Sequence, residues 1–226
     1  MHPSVICTVD VVLLTLKDEQ LHVALFPRAN QPFGGALALP GGYVRAQEDQ
    51  STRDAALRVL REKTGLASVF TEQLATFSGP SRDPRGWSLS VAYYALVPLD
   101  ELEAAGPKGL QLHSATNLGF ALPFDHADIV KAAVERVRNK ASYSSLPVHL
   151  CGKQFTLPQL QAVYEQVLGE PINKVSFRRK MAEMNLLEEI PGAMEEGRAN
   201  RPAQLYQLKP QFTDRLSVTD RALNPG

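Results

Sequence analysis

The feature that most constrains this fold is a glycine-rich break in the chain that is followed by a segment with a strong preference for helix. Residues 54–63 (DAALRVLREK) contain neither glycine nor proline and are rich in Ala, Leu, Arg and Glu, which favour helices. Residues 40–42 (PGG) interrupt the chain ahead of this stretch, and Gly65 follows it where a left-handed cap ends a helix. Three residues suit the N-cap: Ser51, Thr52 and Asp54. The sequence therefore predicts a strand, a glycine-rich loop and a helix in succession.

One face of this helix bears on whether the chain holds a metal ion. Residues spaced i, i+3 and i+4 share a face, and three carboxylates there would suit Mg²⁺, which prefers oxygen ligands. In this chain the three positions are Val59, Glu62 and Lys63. A single carboxylate beside a lysine, even with Glu48 from the loop, is a poor site for a divalent cation. We therefore predict no metal site and no catalytic residues.

The same stretch resembles the Nudix box, G-x5-E-x7-R-E-U-x-E-E-x-G-U, in which U is aliphatic. The matching residues are Gly42, Glu48, Arg58, Leu60, Glu62, Gly65 and Leu66. Nine residues rather than seven separate Glu48 from Arg58, so the loop is two residues longer. Val59 and Lys63 replace two glutamates that bind the metal in the family. The resemblance implies a fold that binds phosphates and sugars but has lost its hydrolytic metal site.

Length and composition allow two domains with substantial cores, because the chain has 226 residues and 44% of them are hydrophobic. The formal net charge is zero, so DNA binding would require a local basic patch. Cys7 and Cys151 lie far apart without metal-ligand spacing, which fits a reducing compartment. The apolar run 9–16 is too short to span a bilayer and no basic leader precedes it. We expect a cytoplasmic protein without a membrane partner.

The first part of the chain, residues 1–143, alternates strand-like runs with turns. Two strand pairs are predicted: 4–16 with 21–26, and 73–77 with 88–97. A helix is predicted from Asp125 to about Tyr143, with Asp125 as its N-cap. Strands mixed with a few helices indicate an α+β fold. By the resemblance, this part is a Nudix-like α/β/α sandwich that senses a ligand.

Residues 144–150 contain Pro147 and have no helical period, which indicates a linker. Beyond it, Thr156 and Gln159 have the spacing of a capping box at a helix start. An apolar stripe follows at helical spacing: Leu160, Val163, Tyr164, Val167 and Leu168. Asn173 suits the N-cap of a second helix that runs to about Met184. This is a helix-turn-helix pattern.

Two short strands, residues 186–190 and 205–208, are predicted after the helices, with a polar loop between them. Together with the helices they make a winged helix-turn-helix domain over residues 151–226. Protein-binding modules also use this architecture, so the fold alone does not establish DNA binding.

Basic residues cluster at the start of the second helix of this domain. Such side chains contact phosphates and guanine edges in the major groove, while wing residues reach the flanking backbone or minor groove. The predicted DNA-contacting residues of the helix are Asn173, Lys174, Ser176, Arg178, Arg179 and Lys180. Those of the wing are Arg198 and Arg201, beside Asn200. The alternative is a solvated basic helix face.

The order of these motifs along nearly the whole chain resembles the NrtR family, the Nudix-related transcriptional regulators of NAD metabolism. The matching stretches are LPGGYVRAQED, RDPRGWSLSVAYYALV, FDHADIV, TLPQLQAVYEQVLG, NKVSFRRKM and NRPAQLY. The resemblance implies a bacterial repressor that binds double-stranded DNA as a homodimer at a palindromic operator. Its Nudix domain would sense ADP-ribose or a related NAD metabolite as effector, with no further cofactor.

The resemblance also implies a set of ligand-binding residues in and around the Nudix loop and helix. They are Arg28, Gly41, Gly42, Arg45, Glu48, Arg58, Glu62, Lys63, Arg82, Asp83, Arg85 and Trp87. The two glycines allow a close backbone approach to a pyrophosphate, and Trp87 offers a stacking face. Arg58 could instead orient Glu62. His126 is expected to pack or cap a helix, with a ligand role as the alternative.

Two other functions are consistent with the sequence. The first is an active Mg²⁺-dependent ADP-ribose pyrophosphatase with an appended interaction domain, whose metal would be held by Glu48, Glu62 and an acid such as Asp83. The second is a regulator that responds to a simple sugar.

Overall fold

The computed structural model describes residues 5–66, 69–195 and 202–218. The wing residues predicted to contact DNA, Arg198 and Arg201, lie outside this part of the chain, as does the neighbouring Asn200. Within it, no helix has both the length and the apolar composition needed to cross a membrane. The described residues form two units.

The first unit contains residues 5–15 and 21–135. Its strands are β1 (Ile6–Lys17), β2 (Gln20–Pro27), β3 (Leu37–Ala38), β4 (Gly41–Tyr43), β5 (Phe70–Gly79), β6 (Ser88–Leu96) and β7 (Gln111–Ser114). Its helices are α1 (Thr52–Thr64), α2 (Leu99–Ala105) and the first part of α3 (His126–Ala141). The short α2 and β7 lie where the sequence shows no regular pattern.

These strands form one mixed sheet in the order β3-β2-β1-β6-β5, with β4 paired to β1 and β7 paired to β2. The predicted pairs β1–β2 and β5–β6 are both present. β1 lies in the middle and runs parallel to β6, from Ile6 opposite Ser88 to Leu14 opposite Leu96. Its continuous buried run, residues 9–15, is what a strand covered on both faces requires.

The predicted helix 54–63 is α1, and its ends match the sequence pattern. Ser51 is the N-cap, because its hydroxyl accepts the backbone N–H of Asp54 at 3.2 Å. Gly65 ends the helix with a φ of 74°, in the left-handed region that suits glycine. The buried face of α1 joins the core formed with β1, β2 and β6 through Ala55, Ala56, Val59 and Leu60.

The second unit contains residues 16–20 and 136–218. After α3 it continues with a 3-10 helix (Leu146–Leu150), β8 (Phe155–Thr156), α4 (Leu157–Leu168), α5 (Lys174–Met184), β9 (Leu187–Glu195), β10 (Ala203–Leu208) and a 3-10 turn (Pro210–Phe212). The wing strands β9 and β10 are present as predicted, and β8 adds a third strand in the order β8-β10-β9.

The segment 144–150, interpreted above as a linker, is a buried part of this second unit. It contains a 3-10 helix with Pro147 near its start, and Leu146 is fully buried. The carbonyl of Ser144 accepts a hydrogen bond from the Tyr164 hydroxyl at 3.0 Å, and the Ser145 N–H donates to the carbonyl of Ser217 at 2.9 Å. A sequence pattern of period 3.6 does not detect a helix of only five residues.

Helices α4 and α5 pack through the predicted apolar residues. Tyr164 of α4 meets Phe177 of α5 edge to face, with ring centroids 5.4 Å apart. Met181 and Met184 extend the same core. Asn173 caps α5 as predicted, and its side chain accepts the N–H groups of both residues that follow Lys174.

The capping box of α4 offers a direct test of this domain's local stability. Thr156 accepts the Gln159 N–H, and the Gln159 side chain accepts the Thr156 N–H. We expect Thr156→Ala to lower the free energy of unfolding by about 1 kcal/mol, since it removes one partner of the box. Urea unfolding followed by circular dichroism measures the change. Thr156→Ser keeps the hydroxyl and should stay close to wild type; an alanine variant as stable as wild type would contradict the assignment.

Candidate functional site

The first unit contains a cavity of about 410 Å³ between the end of β2, the turn into β4, the loop after β5 and the start of α3. Seven of the predicted ligand-binding residues line it: Arg28, Gly41, Gly42, Lys63, Arg82, Asp83 and Arg85. The remaining predicted residues lie outside its lining: Arg45, Glu48, Arg58, Glu62 and Trp87. The cavity thus gathers residues from four separate segments of the chain.

A buried carboxylate, Asp10 of β1, lies against this cavity and was not anticipated from the sequence. It accepts a 2.6 Å hydrogen bond from the Ser90 hydroxyl and lies 3.7 Å from the Arg82 guanidinium. His126 Nε2 is 3.5 Å away. Burial by itself would raise the pKa of Asp10, but His126 and the hydrogen bonds hold that pKa below its usual value. Asp10 is therefore a fixed negative charge at the wall of the cavity.

His126 connects this carboxylate to the glycine-rich turn. Its Nδ1 accepts the backbone N–H of Leu39 at 3.2 Å, so its hydrogen is on Nε2 and faces Asp10. A Cβ added at Gly41 would lie 2.1 Å from a carboxylate oxygen of Asp10. The two glycines, predicted in a loop, belong instead to strand β4, which pairs with β1, and only glycine lets this strand approach the carboxylate so closely. His126 thus both packs and lines the cavity.

Arg82 fixes the loop after β5 to the start of α3. Its Nε and Nη2 donate to the two carboxylate oxygens of Asp125 at 2.9 and 2.8 Å. The Arg82 side chain is only 8% exposed. Asp125, predicted as the N-cap of α3, does precede that helix and anchors it through this ion pair.

Two further arginines face the cavity beside aromatic rings. Arg85 binds both oxygens of Asp83 and also contacts the Tyr43 hydroxyl, with its guanidinium 5.4 Å from the Tyr43 ring centroid. The bond from Arg85 lowers the pKa of Asp83. The guanidinium of Arg28 lies 4.6 Å from the ring centroid of Phe124, a cation–π distance. Burial, and secondarily the charge of Arg85, lowers the pKa of Arg28.

The α1 face that would hold a metal in the Nudix box has a different chemistry here. Val59 is 2% exposed and belongs to the apolar core. A Cβ at Gly42 would lie 3.2 Å from a methyl group of Val59, so this valine forms the base of the glycine turn. Lys63, one turn later, is exposed and lines the cavity.

The remaining acids of the box are bound by arginines outside the cavity. Arg45 donates to Glu48 at 2.9 Å and to Glu62 at 3.1 Å. Arg58 donates twice to Asp49, at 2.8 Å each, and once to the Tyr43 carbonyl at 3.0 Å. These bonds tie the long loop to α1. Arg58 therefore orients the loop chiefly through Asp49, with Glu62 a more distant partner at 3.6 Å.

The donor set does not fit a divalent cation. Among the described residues, no group of three or more His, Cys, Asp or Glu side chains is arranged to hold a metal ion. Glu48 and Glu62 share Arg45, Asp83 is bound by Arg85, and the ammonium of Lys63 stands where the box has a glutamate. The three acids of the hydrolase alternative are thus each paired with an arginine.

The cavity is instead suited to an anion that also carries ring systems. Its cationic side chains are Arg28, Lys63, Arg82 and Arg85. Its carboxylates, Asp10 and Asp83, are already bonded to other side chains. Tyr43 and Phe124 supply aromatic surface, which the sequence did not indicate because neither residue carries a charge. Phosphates and a base or sugar are the groups that such a lining binds.

In the second unit, α5 turns its polar residues outward. Asn173, Lys174, Arg178 and Arg179 are exposed, and Ser176 is half-buried. Lys180 differs, because only 5% of it is exposed and its Nζ donates to the Ser142 carbonyl at 2.6 Å.

Burial lowers the pKa of Lys180 to about 8. The sequence places Lys180 with the other basic residues, whereas the structure places it against the end of α3. This difference arises because its position shares the buried face of α5 with Phe177 and Met184. Lys180 therefore does not belong to the exposed basic face of α5.

Trp87 is 46% exposed at the end of the loop after β5, and its carbonyl accepts the Ile6 N–H at 3.2 Å. The stacking role expected from the sequence stays a prediction.

The fold and the site define a Nudix domain joined to a DNA-binding winged helix domain. The NUDIX domain model matches residues 8–131, and the NrtR DNA-binding winged helix domain model matches residues 147–208. The fold class predicted from the sequence is confirmed by these matches and by the solved structure described next.

Three proteins or structures similar to this chain extend the comparison. The ADPR responsive transcriptional repressor NtrR of Acinetobacter baylyi is 38% identical over 218 residues, which cover 94% of this chain and 86% of that protein. The crystal structure of Shewanella oneidensis NrtR complexed with a 27mer DNA matches with a TM-score of 0.87 and 39% identity, over 96% of this chain and 99% of that one. The NUDIX domain of the Shewanella protein, complexed with ADP ribose, matches with a TM-score of 0.53 and 38% identity, over 60% and 90% respectively. The chain belongs to the NrtR family.

The pairing of Arg58 with Asp49 leads to a prediction about the stability of the folded domain at acidic pH. The hydrogen bonds from Arg58 lower the pKa of Asp49 from 3.8 to about 2. A carboxylate whose pKa is lower in the folded state stabilises that state above pH 3.8 and loses this effect as the pH falls through about 2. Asp49→Asn should therefore lower the thermal unfolding midpoint at pH 7, and its difference from wild type should shrink between pH 4 and pH 2.

Thermal unfolding at stepped pH values measures this difference. Asp128→Asn, at an exposed carboxylate in the first turn of α3, is the matched control. A difference between Asp49→Asn and wild type that stays constant from pH 7 to pH 2 would show that the ion pair does not carry the effect.

Proposed function

We propose that this chain is an ADP-ribose-responsive transcriptional repressor of NAD metabolism genes. The observation that carries the proposal is the presence, in one chain of the NrtR family, of a cationic Nudix cavity and a winged helix with a basic exposed face on α5. The relatives bound to DNA and to ADP ribose support the same two partners. A simple sugar is a poorer fit, since it would leave the cationic side chains of the cavity without an anion.

The domain assignment follows from this function. The sensing domain lies within residues 1–143, and the DNA-binding domain, predicted over residues 151–226, also includes the buried segment 144–150. We infer a cytoplasmic homodimer at a palindromic operator, because a two-fold protein matches two half-sites of one duplex. The chain's DNA contacts come from Asn173, Lys174, Ser176, Arg178 and Arg179, with Arg198 and Arg201 in the wing.

Within the cavity, cationic and aromatic side chains have complementary roles. Lys63 and Arg85 bind the diphosphate, and the backbone at Gly41 and Gly42 allows its close approach. Phe124 and Tyr43 provide faces for the ring systems, with Arg28 behind Phe124. Arg82, Asp83 and His126 complete the lining. Arg45, Glu48, Arg58 and Glu62 act outside it, by holding the long loop on α1.

We also propose that the domain does not hydrolyse its ligand. The hydrolysis of a pyrophosphate by a Nudix box relies on carboxylates that hold a divalent cation. Here Val59 supplies a methyl surface to the core, Lys63 supplies a positive charge, and the nearby acids are neutralised by arginines. The cation of Lys63 takes over the attraction for phosphate that a metal would otherwise provide.

The DNA-binding role is tested by removing the two exposed arginines of α5. Arg178→Ala combined with Arg179→Ala should weaken operator binding about thirtyfold or more, because each base-specific arginine contributes about 1–3 kcal/mol. ADP-ribose affinity should be unchanged. Fluorescence anisotropy of a labelled duplex from upstream of NAD metabolism genes measures the first quantity, and calorimetry the second. Arg215→Ala, an exposed arginine outside α5, is the control; unchanged DNA affinity in the double variant would refute the assignment.

The ligand role is tested at Lys63. Lys63→Ala should weaken ADP-ribose binding by about tenfold, as expected for loss of one hydrogen bond to a charged group. The operator complex should then require about tenfold more ADP-ribose for release. Arg61→Ala removes an exposed cation from the same helix without touching the cavity and should bind normally.

Recovery of the nucleotide from the same samples, incubated with Mg²⁺ or Mn²⁺, tests the loss of hydrolysis. We expect intact ADP-ribose. AMP release by wild-type protein, abolished by Glu62→Gln, would instead establish the pyrophosphatase. Equal ADP-ribose affinity in the Lys63 and Arg61 variants would move the ligand away from this cavity.

A further inference from the structure

The exposed face of α5 combines arginines with apolar side chains. Val175, Arg178, Arg179 and Ala182 follow the spacing i, i+3, i+4 and i+7, which places them on one face of the helix. All four are exposed, whereas Phe177 and other residues of the opposite face form the core. The outward surface of this helix is therefore a stripe with the apolar side chains of Val175 and Ala182 at its two ends and the guanidinium groups of two arginines between them.

Val175 is the most unusual member of this stripe. It is 75% exposed, the highest value among the large hydrophobic side chains of the described residues. A valine in a helix costs propensity relative to alanine and is normally offset by burial, which this one lacks. The fold of this chain therefore gives no reason for a branched apolar side chain here.

The direction of the Val175 side chain is well fixed. The Asn173 side chain accepts the N–H groups of Val175 and Ser176 at 3.1 and 3.0 Å, which holds the first turn of α5 in place. A β-branched side chain in a helix has essentially one χ1 rotamer. The isopropyl group thus projects into solvent in a defined direction and loses little entropy when it makes a contact.

The charges around Val175 indicate what covers it. Lys174, Arg178 and Arg179 surround it on the exposed side of the helix, and no carboxylate lies before Glu183 in α5. An apolar side chain surrounded by cations is suited to bind a polyanion that also exposes an apolar group. In the major groove of DNA the base edges present donors and acceptors, and the C5 methyl of thymine is their apolar group.

We infer that Val175 contacts the C5 methyl group of a thymine in the major groove and so helps to determine operator sequence. This inference rests on the proposed DNA-binding function and adds a base preference to it. Burial of a methyl group against the isopropyl group makes thymine preferred over a pyrimidine without that methyl. The arginines of the stripe then bind the neighbouring phosphates or guanine edges.

The test uses DNA that differs from the operator by single methyl groups. The full chain first selects a duplex from a randomised pool of DNA. Each thymidine of that duplex is then replaced in turn by deoxyuridine. If the duplex contains two half-sites, the replacement is made at the equivalent position of both. Anisotropy titrations then give the affinity for each duplex. We expect a replacement at one thymine position to weaken binding by about fourfold per half-site, the effect of one buried methyl group.

The matched variant identifies the residue responsible. Val175→Ala should weaken binding to the thymine duplex and should remove the difference between thymine and uracil at that position. Val5→Ala, which shortens another exposed valine, should preserve the difference. Because Val175 is exposed, its alanine variant is expected to fold normally, and thermal unfolding checks this.

The outcomes separate this inference from the function on which it rests. The chain could select a sequence and bind it tightly, yet show no position at which uracil weakens binding, or show one that persists in Val175→Ala. Either result would overturn the role of Val175 but not the proposed repressor function. Failure to select any sequence over random DNA would overturn both. In that case an exposed valine among cations would point to an acidic protein partner.

Discussion

The buried carboxylate of Asp10 is the interaction on which the first domain depends. An ionised group taken out of water is tolerated only when its oxygens are fully bonded. Ser90 on β6, His126 at the start of α3 and Arg82 in the loop after β5 meet this requirement. The same charge leaves room only for a glycine at position 41. The loop after β5, the start of α3 and the glycine at position 41 thus converge on a single charge in the central strand.

In the proposed function, the helix of the Nudix box contributes to phosphate binding without a metal. The positions that would carry glutamates are divided between two tasks: Val59 supports the glycine turn from the core, and Lys63 presents a cation to the cavity. The carboxylates that remain are used structurally, to fasten the long loop through Arg45 and Arg58. In this proposal the cavity keeps its attraction for phosphate, while the described residues lack a set of ligands for a metal that would polarise the pyrophosphate.

Local chemistry made much of this structure predictable. The ends of α1, α4 and α5 follow from Ser51, Thr156, Asn173 and Gly65, because caps act within a few residues. Gly41, Gly42 and Lys63, which line the cavity, were also among the predicted residues.

Asp10 and Asp49 were not anticipated, since their partners are distant in sequence or lie in an irregular loop. The side chain of Lys180 was assigned to the wrong face, because a basic run does not show which member faces the core. Strand β8 was missed because two residues have no period.

The position of Val59 has a consequence for any attempt to rebuild the metal site of the Nudix box. A single change back to glutamate would place a carboxylate in the apolar core beneath Gly42, with Lys63 still opposing any metal. A change at Lys63 alone would remove the cation from the cavity and leave Val59 in the core. Reversal of either position alone therefore lowers either the stability of the domain or the attraction of its cavity for phosphate.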